Sequence, residues 1–283
     1  MASVTSKIFA ITGGASGIGA ATCRLLAQRG AEAICVGDLS SEMMAELKTS
    51  IQATYPLTDI HCTVLDVSSY SAVNEWIDSI MTQFGRLDGA ANIAGMAQGA
   101  GTRGCPTILE EDETQWKQIF QVNLDGVFYA TKAEVRAMKS ISRDRSIVNV
   151  ASIASMAHMP DVFAYGTSKG ACAYFTTCVA QDVIPFGIRV NTVSPGITRT
   201  PMLPKFAPTK TSDEVEEAYI KEGFSIIEPD DVARTIIWLL SEDSRPVFGA
   251  NINIGANAMQ IYALKKGTLK GVCSLGYGSI QQS

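Results

Sequence analysis

Short apolar runs alternate along the chain with longer stretches in which apolar residues recur every three or four positions. The first run, Ile8-Phe9-Ala10-Ile11-Thr12, gives way after a glycine turn to Ala20-Ala21-Thr22-Cys23-Arg24-Leu25-Leu26-Ala27, where the period changes from strand-like to helical. The change repeats: strand Ala33 to Asp38 and helix Ser41 to Ala53, strand Ile60 to Asp66 and helix Ser69 to Phe84, strand Gly89 to Asn92 and a long helix from about Asp112 to Met138. Strand Ser146 to Ser152 then precedes helix Val162 to Ala180, and strand Gly187 to Thr192 precedes a long proline-punctuated segment, Ile197 to Phe224. Helix Pro229 to Leu240 and strand Asn251 to Ile254 finish the series. Such alternation predicts an α/β fold, a doubly wound parallel sheet with helices on both faces.

The turn after the first strand reads Gly13-Gly14-Ala15-Ser16-Gly17-Ile18-Gly19. Gly13 permits a tight turn, Gly17 lets backbone approach a pyrophosphate, Gly19 allows close helix–strand packing, and the helix N-terminus adds unpaired N–H groups. Strand, glycine loop and helix in this order make a phosphate cradle the expectation. Asp38 closes the second strand, where its carboxylate is placed to accept bonds from adenosine ribose hydroxyls and to repel a 2′-phosphate. A strand-end Asp can also simply cap the next helix. Ser16 in the loop and Leu39 after Asp38 offer no cation to a 2′-phosphate, so NAD is expected rather than NADP.

Tyr165 and Lys169 lie four apart, which brings a phenol and an ammonium onto one helix face. A nearby cation favours the phenolate, so Lys169 is expected to lower the Tyr165 pKa and make it a base, although such pairs also occur on surface helices without chemistry. Ser152 ends a strand at the edge where parallel sheets bind ligands. Asn123, in Val122-Asn123-Leu124-Asp125-Gly126, is a poor interior helix residue and by itself reads as a local kink.

Taken together, the glycine loop, Asn92-Ile93-Ala94-Gly95, Asn123, Ser152, Tyr165, Lys169 and Pro195-Gly196 resemble the short-chain dehydrogenase/reductase family in order and spacing, over about residues 7 to 255. The resemblance implies a Rossmann-type domain in which Tyr165 takes the proton of an alcohol, Ser152 bonds the same oxygen, Lys169 also binds the nicotinamide ribose, and Asn123 holds water in a proton relay. It implies further cofactor contacts from Ile18, Asp66, Val67, Asn92, Ala94, Gly95, Thr198 and Thr200, besides Pro195 and Gly196. Asp66 would bond the adenine amino group, a role compatible with capping the following helix through Ser68-Ser69.

Segment 196–224 resembles the family's substrate lid. Its Met202, Leu203, Phe206, Tyr219 and Phe224 suit an apolar indole body, but equally a steroid or polyketide, or plain packing on the surface. The reaction implied is oxidation of a primary allylic alcohol to an aldehyde. An oxidoreductase for another apolar alcohol or ketone and a non-enzymatic NAD-binding protein are the alternatives, the intact set Asn123, Ser152, Tyr165 and Lys169 counting against the second. Ala130, Ala133, Ala171, Ala173, Phe175 and Val179 exceed what solvated helix faces need; with the family's habit of pairing through these helices they point to a homodimer or homotetramer.

With 283 residues, 46% of them hydrophobic, the chain can bury a full core as one domain. A net charge of −5 argues against nucleic acid or an anionic membrane as partner and leaves a small-molecule substrate. No apolar run is long enough to span a bilayer, and a first strand starting near Lys7 leaves no room for a signal peptide. Seven scattered cysteines read as packing residues in a reducing compartment, and with only His61 and His158 no metal site is expected. The placement expected is cytoplasmic. Residues 256–283 do not fit the alternation and stand as an extension of unassigned role.

Overall fold

The computed structural model describes residues 4–99, 106–140, 144–157 and 161–255. The extension 256–283, His158, Cys105 and Cys273 lie outside them. In chain order the main elements are β1 (Ile8–Thr12), α1 (Gly17–Gln28), β2 (Ala33–Asp38), α2 (Ser41–Thr54), β3 (Asp59–Val64), α3 (Tyr70–Phe84) and β4 (Gly89–Asn92). They continue as α4 (Glu113–Phe120), a π-helical turn (Gln121–Asp125), α5 (Gly126–Met138), β5 (Arg145–Val150), α6 (Phe163–Val183), β6 (Ile188–Pro195), α7 (Ser212–Lys221), α8 (Pro229–Leu240) and β7 (Asn251–Ile254).

The seven strands form one parallel sheet in the order β3-β2-β1-β4-β5-β6-β7. Both faces are covered, as the apolar strands require. Along β1 the side chains alternate between two cores: Phe9 and Ile11 pack with Leu26, Leu47 and Ile236, whereas Ile8 and Ala10 pack with Trp76, Ile77 and Val183. Order reverses between β1, which continues to β2, and its other neighbour β4, and a crevice opens there at the carboxyl ends of the strands.

Caps fix where several helices begin. Ser40, Ser69, Asp112 and Thr211 accept amide bonds in the first turns of α2, α3, α4 and α7, and Pro229 occupies the first turn of α8. Ser69 is therefore the cap of α3; Asp66 instead holds Ser68 through its N–H and hydroxyl, at 2.9 and 2.7 Å.

Two expectations are corrected. The long helix is interrupted by a π-helical turn at Asn123, because the buried amide bonds outward to neighbouring chain (below). The segment after Ile197 is no open loop but contains a short 3-10 turn (Leu203–Phe206) and α7, which starts with a reciprocal Thr211–Glu214 capping box.

Candidate active site

The glycine loop owes its shape to missing side chains. A Cβ on Gly19 would meet the Gly13 carbonyl oxygen at 2.0 Å, and one on Gly13 would meet the Ala94 backbone at 2.6 Å, so α1, the loop and the end of β4 pack at backbone distance. Gly13 and Gly17 have φ of +65° and +50°, the left-handed region that glycine enters freely. Helix α1 begins without a side-chain cap, so its first amides remain available to an anion. Asp38 holds the other side of the loop: its carboxylate accepts the Ala15 N–H and the Ser40 N–H, each at 3.0 Å.

Of the residues expected at the site, all but Gly19, Asn92 and Asn123 line one cavity of about 440 Å³. One end is walled by Asp38, Leu39, Ser40, Met43 and Asp66, with no cation among them. The other end holds Ser152, Tyr165 and Lys169 beneath Met202, Leu203, Phe206 and Tyr219. Thr200 lies across the glycine loop, with its methyl 3.0 Å from where a Gly17 Cβ would sit. Gly95 keeps the middle open, since a Cβ there would lie 3.3 Å from Asn123 Oδ1 and 3.4 Å from Lys169 Nζ.

Tyr165 is buried, with Phe206 edge-on at 5.0 Å between ring centroids. Burial raises its pKa, and a hydrogen bond with Ser152 works against that rise. Ser152 Oγ accepts the Ala154 N–H at 3.2 Å, which leaves its own proton to donate to the Tyr165 oxygen. The expected lowering of Tyr165 by Lys169 is not found. Lys169 Nζ donates to the Val150 carbonyl at 2.8 Å and stands 6.0 Å from the Tyr165 ring centroid, and its own pKa is lowered by burial.

Asn123 is fully buried, and its amide is occupied. It accepts the Met96 N–H at 2.7 Å and donates to the Met96 carbonyl at 3.0 Å and to Ser168 Oγ at 3.2 Å. Asn92, expected at the cofactor, instead donates to Glu134 at 3.0 Å and to Asn149 at 2.9 Å in a buried polar cluster against the middle of the sheet. Asn92 lies two residues after Ala90 along β4, on the face that packs against α5, which carries Glu134. Glu134 escaped the sequence reading, although a carboxyl among the buried positions Ala130, Ala133 and Met138 of α5 is a signal in itself.

The uncapped helix, the positive-φ glycines and the close backbone contacts at β4 fit a dinucleotide, for which α1 and the glycine loop could hold the pyrophosphate, Asp38 the adenosine and the Gly95 region the nicotinamide.

Comparison with known proteins agrees with the geometry. A family model described as enoyl-(acyl carrier protein) reductase matches residues 13–256. The chain is 74% identical over 261 residues to chanoclavine-I dehydrogenase easD of Arthroderma otae, covering 90% of this chain and 99% of that protein. It is 70% identical to the chanoclavine-I dehydrogenase easD of Arthroderma benhamiae, again over 90% and 99% of the two. The crystal structure of NAD+-bound xylitol dehydrogenase superimposes with a TM-score of 0.78 at 28% identity, over 89% of this chain and 98% of that one. Fold, site and relatives together place the chain in the short-chain dehydrogenase/reductase family, whose members use a nicotinamide cofactor.

Proposed function

We propose that this chain oxidises the primary allylic alcohol of chanoclavine-I to the aldehyde with NAD, as a step of ergot-alkaloid biosynthesis. The observation that carries the reading is the pairing of Ser152 with Tyr165 at the buried end of a cavity roofed by Met202, Leu203 and Phe206, in a chain so close to the two relatives of that name. Tyr165 as phenolate removes the hydroxyl proton, and Ser152 donates to the same oxygen. When bound, the nicotinamide ring supplies the hydride acceptor for the carbinol carbon. Lys169, with one proton on the Val150 carbonyl, keeps two for the ribose hydroxyls. Asn123 fixes Met96 and Ser168, and the water-holding role implied by resemblance falls to its main chain because its amide is engaged.

The Asp38 carboxylate, with no cation among the residues walling that end, supports NAD rather than NADP. The two amides that Asp38 accepts leave lone pairs for ribose hydroxyls, and a 2′-phosphate would face its charge uncompensated. The test is formation of NADH from NAD with chanoclavine-I, beside a steroid alcohol, a sugar alcohol and a simple allylic alcohol. Turnover of chanoclavine-I well above the others is expected; a clear preference for any other would overturn the substrate assignment.

A further inference from the structure

The catalytic helix lacks the cap that other helices of the fold possess. Val162 stands at the N-cap of α6 and has no side-chain acceptor. The first helical bond runs from the Gly166 N–H to the Val162 carbonyl at 2.9 Å, so the Tyr165 N–H, third in the helix, has no partner within it. In a capped helix this is one of the amides that a Ser, Thr, Asp or Asn side chain would satisfy. Here the acceptor comes from 67 residues away: Gln98 Oε1 receives the Tyr165 N–H at 3.0 Å. Gln98 is fully buried, three residues past Gly95 in the chain that lines the cavity. The other end of its amide is also fixed, since Gln98 Nε2 donates to Glu111 Oε1 at 2.6 Å. Glu111 directly precedes Asp112, the cap of α4.

We propose that Gln98 is the positioning residue of Tyr165: an amide oriented by Glu111 that caps the catalytic helix in trans and sets where the phenol stands relative to Ser152. The orientation is chemical. Glu111 presents only acceptors when ionised, so the Gln98 NH2 must face it and the Gln98 oxygen must face the Tyr165 N–H. The reverse amide would set oxygen against carboxylate and NH2 against N–H. The helix is anchored through the backbone of the residue that carries the chemistry, so a small displacement there moves the phenolic oxygen directly. Misplacement by about 1 Å can cost 10²-fold in rate. The role rests on Tyr165 as the base, but the capping bond itself is independent of any substrate.

The test uses the full chain and four variants. Gln98→Met keeps length and volume without an acceptor. Gln98→Glu keeps the acceptor for Tyr165 but sets a carboxylate against Glu111. Glu111→Gln keeps an acceptor for Gln98 without the charge. The double variant Gln98→Glu/Glu111→Gln restores donor-to-acceptor pairing with the polarity exchanged. Activity is followed with whichever alcohol the wild type oxidises best, NAD binding by titration calorimetry, and the Tyr165 amide by hydrogen exchange.

We expect Gln98→Met to lose about tenfold or more in kcat while NAD affinity and substrate KM stay within a few-fold, with faster exchange at Tyr165. Glu111→Gln should lose less, because the amide keeps its acceptor. Relative to wild type at the same pH, Gln98→Glu should be least impaired at low pH, where the two carboxyls share a proton, and the double variant should recover kcat with a wild-type-to-variant ratio that no longer changes with pH. Unchanged kcat in Gln98→Met with NAD binding intact would overturn the proposal, as would a double variant no better than Gln98→Glu at neutral pH. If the wild type turns over no alcohol tested, the activity reading fails, and the cap stands or falls on Tyr165 exchange alone: slow in wild type and double variant and fast in Gln98→Met supports it, equal in all three overturns it.

Discussion

Lys169 donates to the carbonyl of Val150 at 2.8 Å, and this bond, rather than contact with the phenol, sets the position of the cation beside Tyr165. Burial raises the Tyr165 pKa and only Ser152 offsets it by hydrogen bonding. The phenolate is therefore scarce at neutral pH, and oxidative kcat is expected to rise toward alkaline pH, faster at pH ~9 than at pH ~6. Ser152→Ala removes the bond that favours the phenolate and should move the rise to higher pH as well as lowering kcat. Tyr165→Phe should cost about 10²-fold or more in kcat with NAD binding retained. A profile flat across this range, with chemistry rate-limiting, would remove Tyr165 as the titrating base.

Asp38 serves two ends at once, holding Ala15 of the glycine loop while facing the cavity. NAD should be preferred over NADP by about tenfold or more in kcat/KM, roughly 1.4 kcal/mol. Asp38→Asn removes the charge and keeps one acceptor for the two amides that Asp38 holds through separate oxygens, so it should narrow the preference at some cost in NAD affinity. Asp38→Ala should narrow it and weaken NAD as well, because Ala15 loses its partner. Equal use of the two cofactors by the wild type would sink the assignment.

The sheet was legible in the sequence because strands buried on both faces leave apolar runs, and helices such as α8 announce themselves by Pro229 and by spacing. The glycine loop, Ser152, Tyr165 and Lys169 were legible because strand ends and helix turns place them within a few residues of a backbone landmark. What escaped was tertiary. The Gln98 bond to Tyr165 and the Asn92 bond to Glu134 join residues 67 and 42 positions apart. At Asn123 the residue type signalled a local kink, but not that the kink would be a π-helical turn held by Met96 and Ser168. Spacing placed Lys169 on the face of Tyr165, but could not tell that its Nζ would find Val150. α7 is a different case, since the Thr211–Glu214 cap stood in the sequence beside the prolines that made the segment read as loop.

Assembly can be tested on the outer faces of α5 and α6. Phe128 and Tyr174 are 40% and 74% exposed, and Phe128 meets Phe175 edge-on at 5.9 Å, which leaves an aromatic patch toward solvent in the single chain. Light scattering should return the mass of a homodimer or homotetramer. Phe128→Asp with Tyr174→Asp should shift it toward the monomer. A wild-type mass equal to one chain at all concentrations would exclude the pairing.

Glu134 makes stability depend on pH in a direction opposite to most carboxylates. It is wholly buried; Asn92 donates to one of its oxygens, while the other, and the Asn92 carbonyl oxygen, have no partner. Both are buried acceptors without a donor, and a protonated carboxyl carries one acceptor fewer and a donor of its own. Burial pushes the Glu134 pKa from 4.5 up to about 8. Between those values the native chain holds a proton that the unfolded chain has released, so its contribution to stability is full below about pH 4.5, declines as pH rises, and is gone above about pH 8. The loss is on the order of a few kcal/mol, enough to lower Tm by about 5–10 °C in a chain of this size. Glu134→Gln stays neutral throughout and carries its own N–H donors. Its Tm should lie close to that of wild type near pH ~5 and exceed it progressively toward pH ~8, as read by calorimetry across that range. Parallel curves for the two proteins would mean that Glu134 does not carry the proton.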